Sequence, residues 1–426
     1  MNRLLFGVLF CGAATLFAAT PLTLEEAVRT AIANHPQLQR AQALQEAAAA
    51  VPDQVRSRLY PQVNALSSGA LSEDANTRIL AGGLNNPLIL NRWGIGASAS
   101  QMLTDFGRTK TLAESAALRA ESAQAAVAVG RAEVLLRVYR GYFGALRAQA
   151  IRRVAQQTVK ARELVADQTS VLAQNKLKSD LDVTFARVNL QEAKLLENNA
   201  VNAVRSAMVD LSNAMGLDPG ASPDYVLSED GLPSPLPDVW AEAAQQALTN
   251  RPELKQARLD REAAAAFLRA ESVLQRPTVS AVVTAGVAPL HNNRLQNHYV
   301  AGGVNVDFPV LTGGLFKARR SEAEARQRAA DAAEKEVRNQ VERDVRLAFI
   351  GSQNAFERLQ LTASLLGQAQ QALRLAQARY DLGLSSIVEL SQAQLNLTSA
   401  EIAQASAKFD YQAARALLEY QKGTLN

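Results

Sequence analysis

Cysteine is all but missing from this chain. The only one, Cys11, lies within the opening run MNRLLFGVLFCGAATLFAAT. A basic start, a short apolar run and a small-residue tail read as a secretory signal over residues 1–19, cut near Ala18 or Ala19. A chain cut there keeps no thiol, which excludes disulfides and thiol chemistry. Lipidation of Cys11 does not fit, because Phe10 stands where a small residue is needed and the apolar run continues past it. Blocks of one charge are missing too. The net charge is +4 with acids and bases interspersed, so the sequence predicts a solvated surface and no nucleic-acid partner. Beyond the leader, no apolar run is long enough for a transmembrane helix. An exported chain of this kind is soluble, secreted or a β-barrel. Proline is absent between Leu88 and Asp218 and again from Val310 onward, which leaves both stretches free to be helical.

What is present is a duplication. The phrase Asn34-His35-Pro36 returns as Asn250-Arg251-Pro252, each followed by a leucine two residues on. Pro61 pairs with Pro277, Leu103-Thr104 with Leu311-Thr312, Asn189-Leu190 with Asn396-Leu397, and Gly216 with Gly423. The order never changes, so the chain reads as two copies of one unit. The copies span 20–217 and 239–426, joined by the Pro/Gly/Ser-rich linker 218–238. In the first copy, Thr23 and Glu26 form a capping-box pattern that opens a short helix. In both, the Asn-x-Pro phrase ends that helix and starts another, since proline suits a first helical turn.

Long helices follow, expected over about 105–216 and about 313–422. Leu390, Ala393, Leu397, Ala400, Gln404, Ala407, Tyr411, Ala414 and Leu418 step by three and four throughout, the seam of a left-handed coiled coil. A second seam, from Ala116 through Val127, Val134 and Gly141 to Ala145, uses small residues that let helix axes approach closely. A helix from 108 to 173 would extend roughly 100 Å at 1.5 Å per residue.

Between the short and the long helices lie strand-like segments at about 61–72, 92–103, 277–288 and 298–311. In TVSAVVTAGV, Val279, Ala281, Val283, Ala285 and Val287 share one face. Two readings fit this alternation: membrane strands over a polar lumen, or a sheet seated on a soluble core. If these are membrane strands, four cannot close a barrel, and an open sheet cannot stand in lipid. Several chains must then share one barrel.

The whole pattern resembles the TolC family of outer-membrane efflux and secretion channels, across nearly the entire chain after the leader. Its carriers are LTLEEAVRTAIANHPQL (22–38), the strand starts at Pro61 and Pro277, the turns LTDFG and LTGG, and ARYDLGLSSIVELSQAQLNL (378–397). The last is similar to a periplasmic hairpin tip. The other tip would be QNKLKSDLDVTFARVNL (174–190). The resemblance implies a mainly α fold with a membrane β-barrel portion. It implies a homotrimer whose chains give four strands each to a twelve-stranded barrel, embedded in outer-membrane lipid and continued by a long periplasmic α-helical barrel. It also implies a function: a passive exit duct of a tripartite efflux or type I secretion system, served by a periplasmic adaptor and an inner-membrane pump.

Members of that family gate the tips with tyrosine, aspartate and arginine links. Tyr380 takes the tyrosine position and Asp182 the aspartate position. Ser385 stands where some members carry the arginine, which weakens the case for a charge lock. Asp180 and Asp182 then have two readings, a cation-selecting constriction or acids that stabilise a helix start. Tyr380 is a gate residue or a packed aromatic. Leu177, Lys178 and Ser179, with Leu384, Ser385 and Ser386, are the candidate contacts for the adaptor.

Catalytic, cofactor-binding and metal residues are not expected. No Ser/His/Asp order, Walker loop or zinc motif stands in its proper context. His35 sits in the helix break, where a local hydrogen bond suits it. His291 and His298 share a polar loop without the further ligands a metal needs. The alternative reading is an exported structural or adhesive coiled-coil protein, which leaves the matched strand pairs without a purpose.

Overall fold

The structure, a computed structural model, describes residues 21–70, 92–218, 225–229, 231, 239–290 and 296–425. The expected leader, His291 and much of the expected linker lie outside them. The chain folds as two compact units, and each draws on both copies of the repeat. A helical unit takes its described residues from 1–39, 130–250 and 342–426, and a strand unit takes 40–129 and 251–341.

Element lengths repeat between the two halves. Helix α1 (Leu24–Asn34) has 11 residues, as does α5 (Trp240–Asn250). Helix α2 (Pro36–Arg56) has 21 and α6 (Pro252–Glu271) has 20. Helices α3 (Arg108–Gln174) and α7 (Leu315–Asp381) both have 67. Helix α4 (Asp180–Ala214) has 35 and α8 (Ile387–Lys422) has 36. The duplication is therefore conformational as well as textual.

The repeated phrase has a physical reason in the helical unit. Thr23 caps α1, with Glu26 NH donating to Thr23 Oγ1 at 3.2 Å and Thr23 NH donating to Glu26 Oε2 at 2.9 Å. At His35 the backbone turns extended, and Pro36 starts α2. The corner is pressed against the end of α4. Gly216 sits there with φ +73°, and a β carbon on it would lie 2.6 Å from His35 Cα. No side chain fits that approach, and the left-handed backbone suits only glycine. Beneath the corner, Ala27 and Ala31 of α1 pack on Val134, Val138, Tyr142 and Leu146 of α3 and on Met208 and Leu211 of α4. Gly141 brings α3 close to α4, since its β carbon would meet Leu211 Cα at 3.4 Å.

Within the expected linker segment, Val226–Leu227 (β4) pairs in parallel with Pro21–Leu22 (β1). The fully buried Tyr142 anchors this pair, its hydroxyl lying 2.9 Å from Leu22 O and 2.7 Å from Ser228 O. Of the seam on α8, Leu390, Ala400, Ala407, Tyr411 and Leu418 are almost wholly buried, while Leu397, Gln404 and Ala414 are partly so.

The strand unit holds an antiparallel sheet in the order β2 (Gln62–Ala70), β3 (Arg92–Thr104), β5 (Thr278–Leu290), β6 (His298–Asp307). Its register fixes two faces. Val63, Ala99, Val283 and Gly302 align across the strands, as do Ala65, Ala97, Ala285 and Val300. These rows share an apolar face with Ile95, Val287 and Val304. The opposite face carries Asn64, Ser68, Ser98, Ser100, Ser280, Thr284 and Asn305. The apolar face is bare: Val300 is 75% exposed and Val63 70%. Among the described residues, the sheet is therefore not seated on a core of its own chain.

At the base of the sheet, Glu271, the last residue of α6, is 2% exposed. Arg108, the first residue of α3, meets it at 3.0 Å, and Arg319 near the start of α7 meets it at 2.8 Å. One carboxylate thus ties three helix ends. Removing both arginines (Arg108→Ala with Arg319→Ala) leaves it buried and unpaired, with an expected cost of about 3–5 kcal/mol. Thermal melts in detergent check this. Replacing all three residues with Met, Leu and Met is expected to recover most of the loss.

Candidate functional site at the hairpin tips

Both expected tips are tight turns between long helices of the helical unit, and they are built alike. After α3, Lys176 adopts φ +60°, and Leu177 NH closes the turn on Leu172 O at 2.9 Å. After α7, Gly383 adopts φ +73°, and Leu384 NH closes on Arg379 O at 2.8 Å. The left-handed residue is glycine in one copy and lysine in the other. Each turn then hands over to a serine cap. Ser179 Oγ accepts from Asp182 NH at 3.1 Å, and Ser386 Oγ accepts from Glu389 NH at 3.4 Å.

Asp182 is occupied by this cap. Its Oδ2 accepts from Ser179 NH at 3.0 Å and from Ser179 Oγ at 2.8 Å. Asp180 is exposed in the same first turn. Within the chain, then, both carboxylates stand at a helix start, where they favour the dipole, and Asp182 bonds to Ser179 rather than to Tyr380. Tyr380 is buried among Ile387, Leu390, Val165 and Leu373. Its hydroxyl and Ser385 Oγ are both buried without a hydrogen-bond partner. Lys178 Nζ lies 4.0 Å from the Tyr380 ring centroid, a cation–π contact that joins one tip to the other. Asn189 Nδ2 donates to Ser391 Oγ at 2.7 Å between the helices that follow.

The tips also present apolar side chains to solvent. Leu177 is 70% exposed and Leu384 67%. Leu181, Leu382 and Val388, which are not among the candidate contacts, are exposed beside them. Their signal is present in sequence, as leucine and valine among the polar residues of the two expected tip segments.

A second apolar stripe runs along α4. Leu181, Phe185, Val188, Leu195 and Val209 fall on one heptad track and are exposed, while Glu192, Asn199, Asn202 and Ser206 interrupt it, so its apolar part is the first half of the helix. The helix already buries another track, through Ala186, Ala193, Ala200, Val204, Met208 and Leu211. Its first half is thus apolar on two faces, one of them covered among the described residues.

Among the described residues, no group of three His, Cys, Asp or Glu side chains converges, and His298 lies exposed on β6. His35 Nδ1 accepts from Gln37 NH at 3.1 Å, and its Nε2 lies 3.4 Å from Arg137 Nη1. Burial, and then the Arg137 charge, hold its pKa below the usual 6.5. The unfolded chain therefore binds the proton more readily. Stability from the neutral ring is complete above about pH 6.5 and is lost as pH falls through the folded value. Melting at about pH 8 and about pH 5 should show a drop that shrinks in His35→Asn, because the titrating ring is gone.

Comparison with known proteins places these features. The family model described as outer membrane efflux protein matches residues 27–217 and 243–422. Protein CyaE of Bordetella pertussis is 27% identical over 392 residues, covering 89% of this chain and 79% of that one. The toluene efflux pump outer membrane protein TtgC of Pseudomonas putida is 24% identical over 387 residues, covering 89% and 78%. The solved structure of the outer membrane protein VceC from Vibrio cholerae superposes with a TM-score of 0.80 at 19% identity, covering 94% of this chain and 96% of that one.

Proposed function

The chain belongs to the outer membrane efflux protein family, and from that premise we propose that it is the exit duct of a tripartite export system. It is an outer-membrane channel protein with a periplasmic helical part, and members of its family are channels rather than enzymes. The observation that carries the reading is the sheet. Its apolar face is bare among the described residues, and its outer strands, β2 and β6, each have one edge unpaired among them. Lipid tolerates the bare face but not the unpaired backbone. Three copies of a four-stranded sheet meet end to end as one closed twelve-stranded barrel, with the polar face inward. The uncovered heptad track on α4 supports the same trimer, since a second copy of the chain can bury it.

The duct is passive. An inner-membrane pump supplies the energy, and a periplasmic adaptor docks at the tips through Leu177, Lys178, Ser179, Leu384, Ser385 and Ser386. The exposure of Leu177 and Leu384 supports such a docking surface. Asp180, Asp182, Tyr380 and Ser385 are the gate residues of this proposal. The contact between Lys178 and Tyr380 supports a latch between the two hairpins of one chain.

Purified protein in planar bilayers is expected to give discrete, long-lived pores, and trimers on mild gels. A chain that forms no pores and stays out of outer-membrane fractions would overturn the reading in favour of an exported coiled-coil protein. The double change Asp180→Asn with Asp182→Asn is expected to lower cation preference. Unchanged preference would return both acids to helix-start duty.

Leu195→Glu tests the seam. The residue is exposed in the single chain, so the chain should still fold, while the trimer loses about 1.5–3 kcal/mol for each buried leucine. Gel filtration in detergent reads the loss of trimer.

A further inference from the structure

One row of the sheet departs from the rest of its polar face. Leu66 pairs with Gly96, Gly96 with Gly286, and Gly286 with Tyr299. Tyr299 is the only aromatic among the described strand residues on that face. Its ring does not stand off the sheet. It lies along it, over both glycines. A β carbon at Gly286 would come within 2.5 Å of Tyr299 Cζ, and one at Gly96 would overlap the Tyr299 hydroxyl oxygen. Each would also lie 2.7 Å from a carbonyl of the neighbouring strand, Ile95 O for Gly286 and Ala285 O for Gly96. Two adjacent central strands thus give up side chains at the two places the ring crosses. Glycine inside a strand weakens it, and a flat aromatic laid over such glycines restores packing.

We infer that Gly96 and Gly286 keep the bore of the barrel open by holding the Tyr299 ring flat on its wall. The inference rests on the reading that the polar face lines the lumen. Given that, any side chain at either glycine lifts the ring into the bore. In a symmetric trimer three rings rise at one height, so one substitution narrows the duct three times over. The rest of this face is made of small hydroxyl, amide and aliphatic groups, with Asp307 the only charge at a described side-chain position.

The test uses a reporter cysteine on the full trimer in lipid vesicles. Thr284→Cys lies on the polar face two residues from Gly286, and Val283→Cys lies on the apolar face. A bulky, membrane-impermeant maleimide is added, and the labelling rate is read, with the parent as control for Cys11. Thr284→Cys is expected to label and Val283→Cys to resist. Gly286→Ala in the Thr284→Cys background is expected to slow labelling about fivefold or more, and Tyr299→Ala added to it should restore the rate. A rate unchanged by Gly286→Ala, or a slowing that survives Tyr299→Ala, would overturn the inference. Labelling of Val283→Cys in place of Thr284→Cys would overturn the lumen reading and the inference with it. If the Gly286→Ala trimer does not assemble, Tyr299→Ala alone decides. An unchanged rate supports a ring already on the wall, and a several-fold rise shows a ring standing in the bore.

Discussion

Backbone polarity in lipid is the constraint on which the rest depends. Each strand edge carries N–H and C=O groups that water would satisfy and hydrocarbon cannot. A chain with four strands has two such edges, so it cannot serve as a membrane protein alone. Assembly is thus imposed by hydrogen bonding before any side chain is considered. The second apolar track on α4 and the matched lengths of the two halves follow as partners of that requirement. A protein built from two copies of one unit, joined with other copies of itself, surrounds a common axis with similar elements.

Much of this was legible in the sequence. The alternation in TVSAVVTAGV, the heptad steps from Leu390 to Leu418 and the Thr23–Glu26 cap are local signals, and each depends on residues within a few positions of one another. The capping of α4 was equally visible, because Ser179-x-x-Asp182 is itself a cap pattern. What escaped were contacts between distant segments. Val226–Leu227 pairs with Pro21–Leu22 over only two residues, too short for any periodicity to announce. Glu271 gives no sign that Arg108 and Arg319 will close on it, since each reads as one more charge on a helix. The division into compact units also differs from the division into repeats. The copies run one after the other along the chain, while the packing gathers like parts of both.

At the candidate site, residue identity was easier to read than residue duty. Tyr380 was found from a short phrase, but its burial among Ile387, Leu390, Val165 and Leu373 depends on three helices at once. Lys178 was singled out for docking, and the structure also seats its ammonium on the Tyr380 ring. Nothing in the sequence marks Lys176. Its positive φ is the kind of turn that sequence announces only when glycine occupies it, as Gly383 does in the other copy.

The two 67-residue helices carry a consequence for how such a chain can change. Deleting one residue within either would turn everything beyond it by about 100° and draw it back by about 1.5 Å. Every apolar track downstream would then face the wrong neighbour. Substitutions leave that phase intact, while insertions and deletions do not. Drift in this protein should therefore be permissive in spelling and strict in length along α3 and α7, with changes of length confined to the loops at their ends.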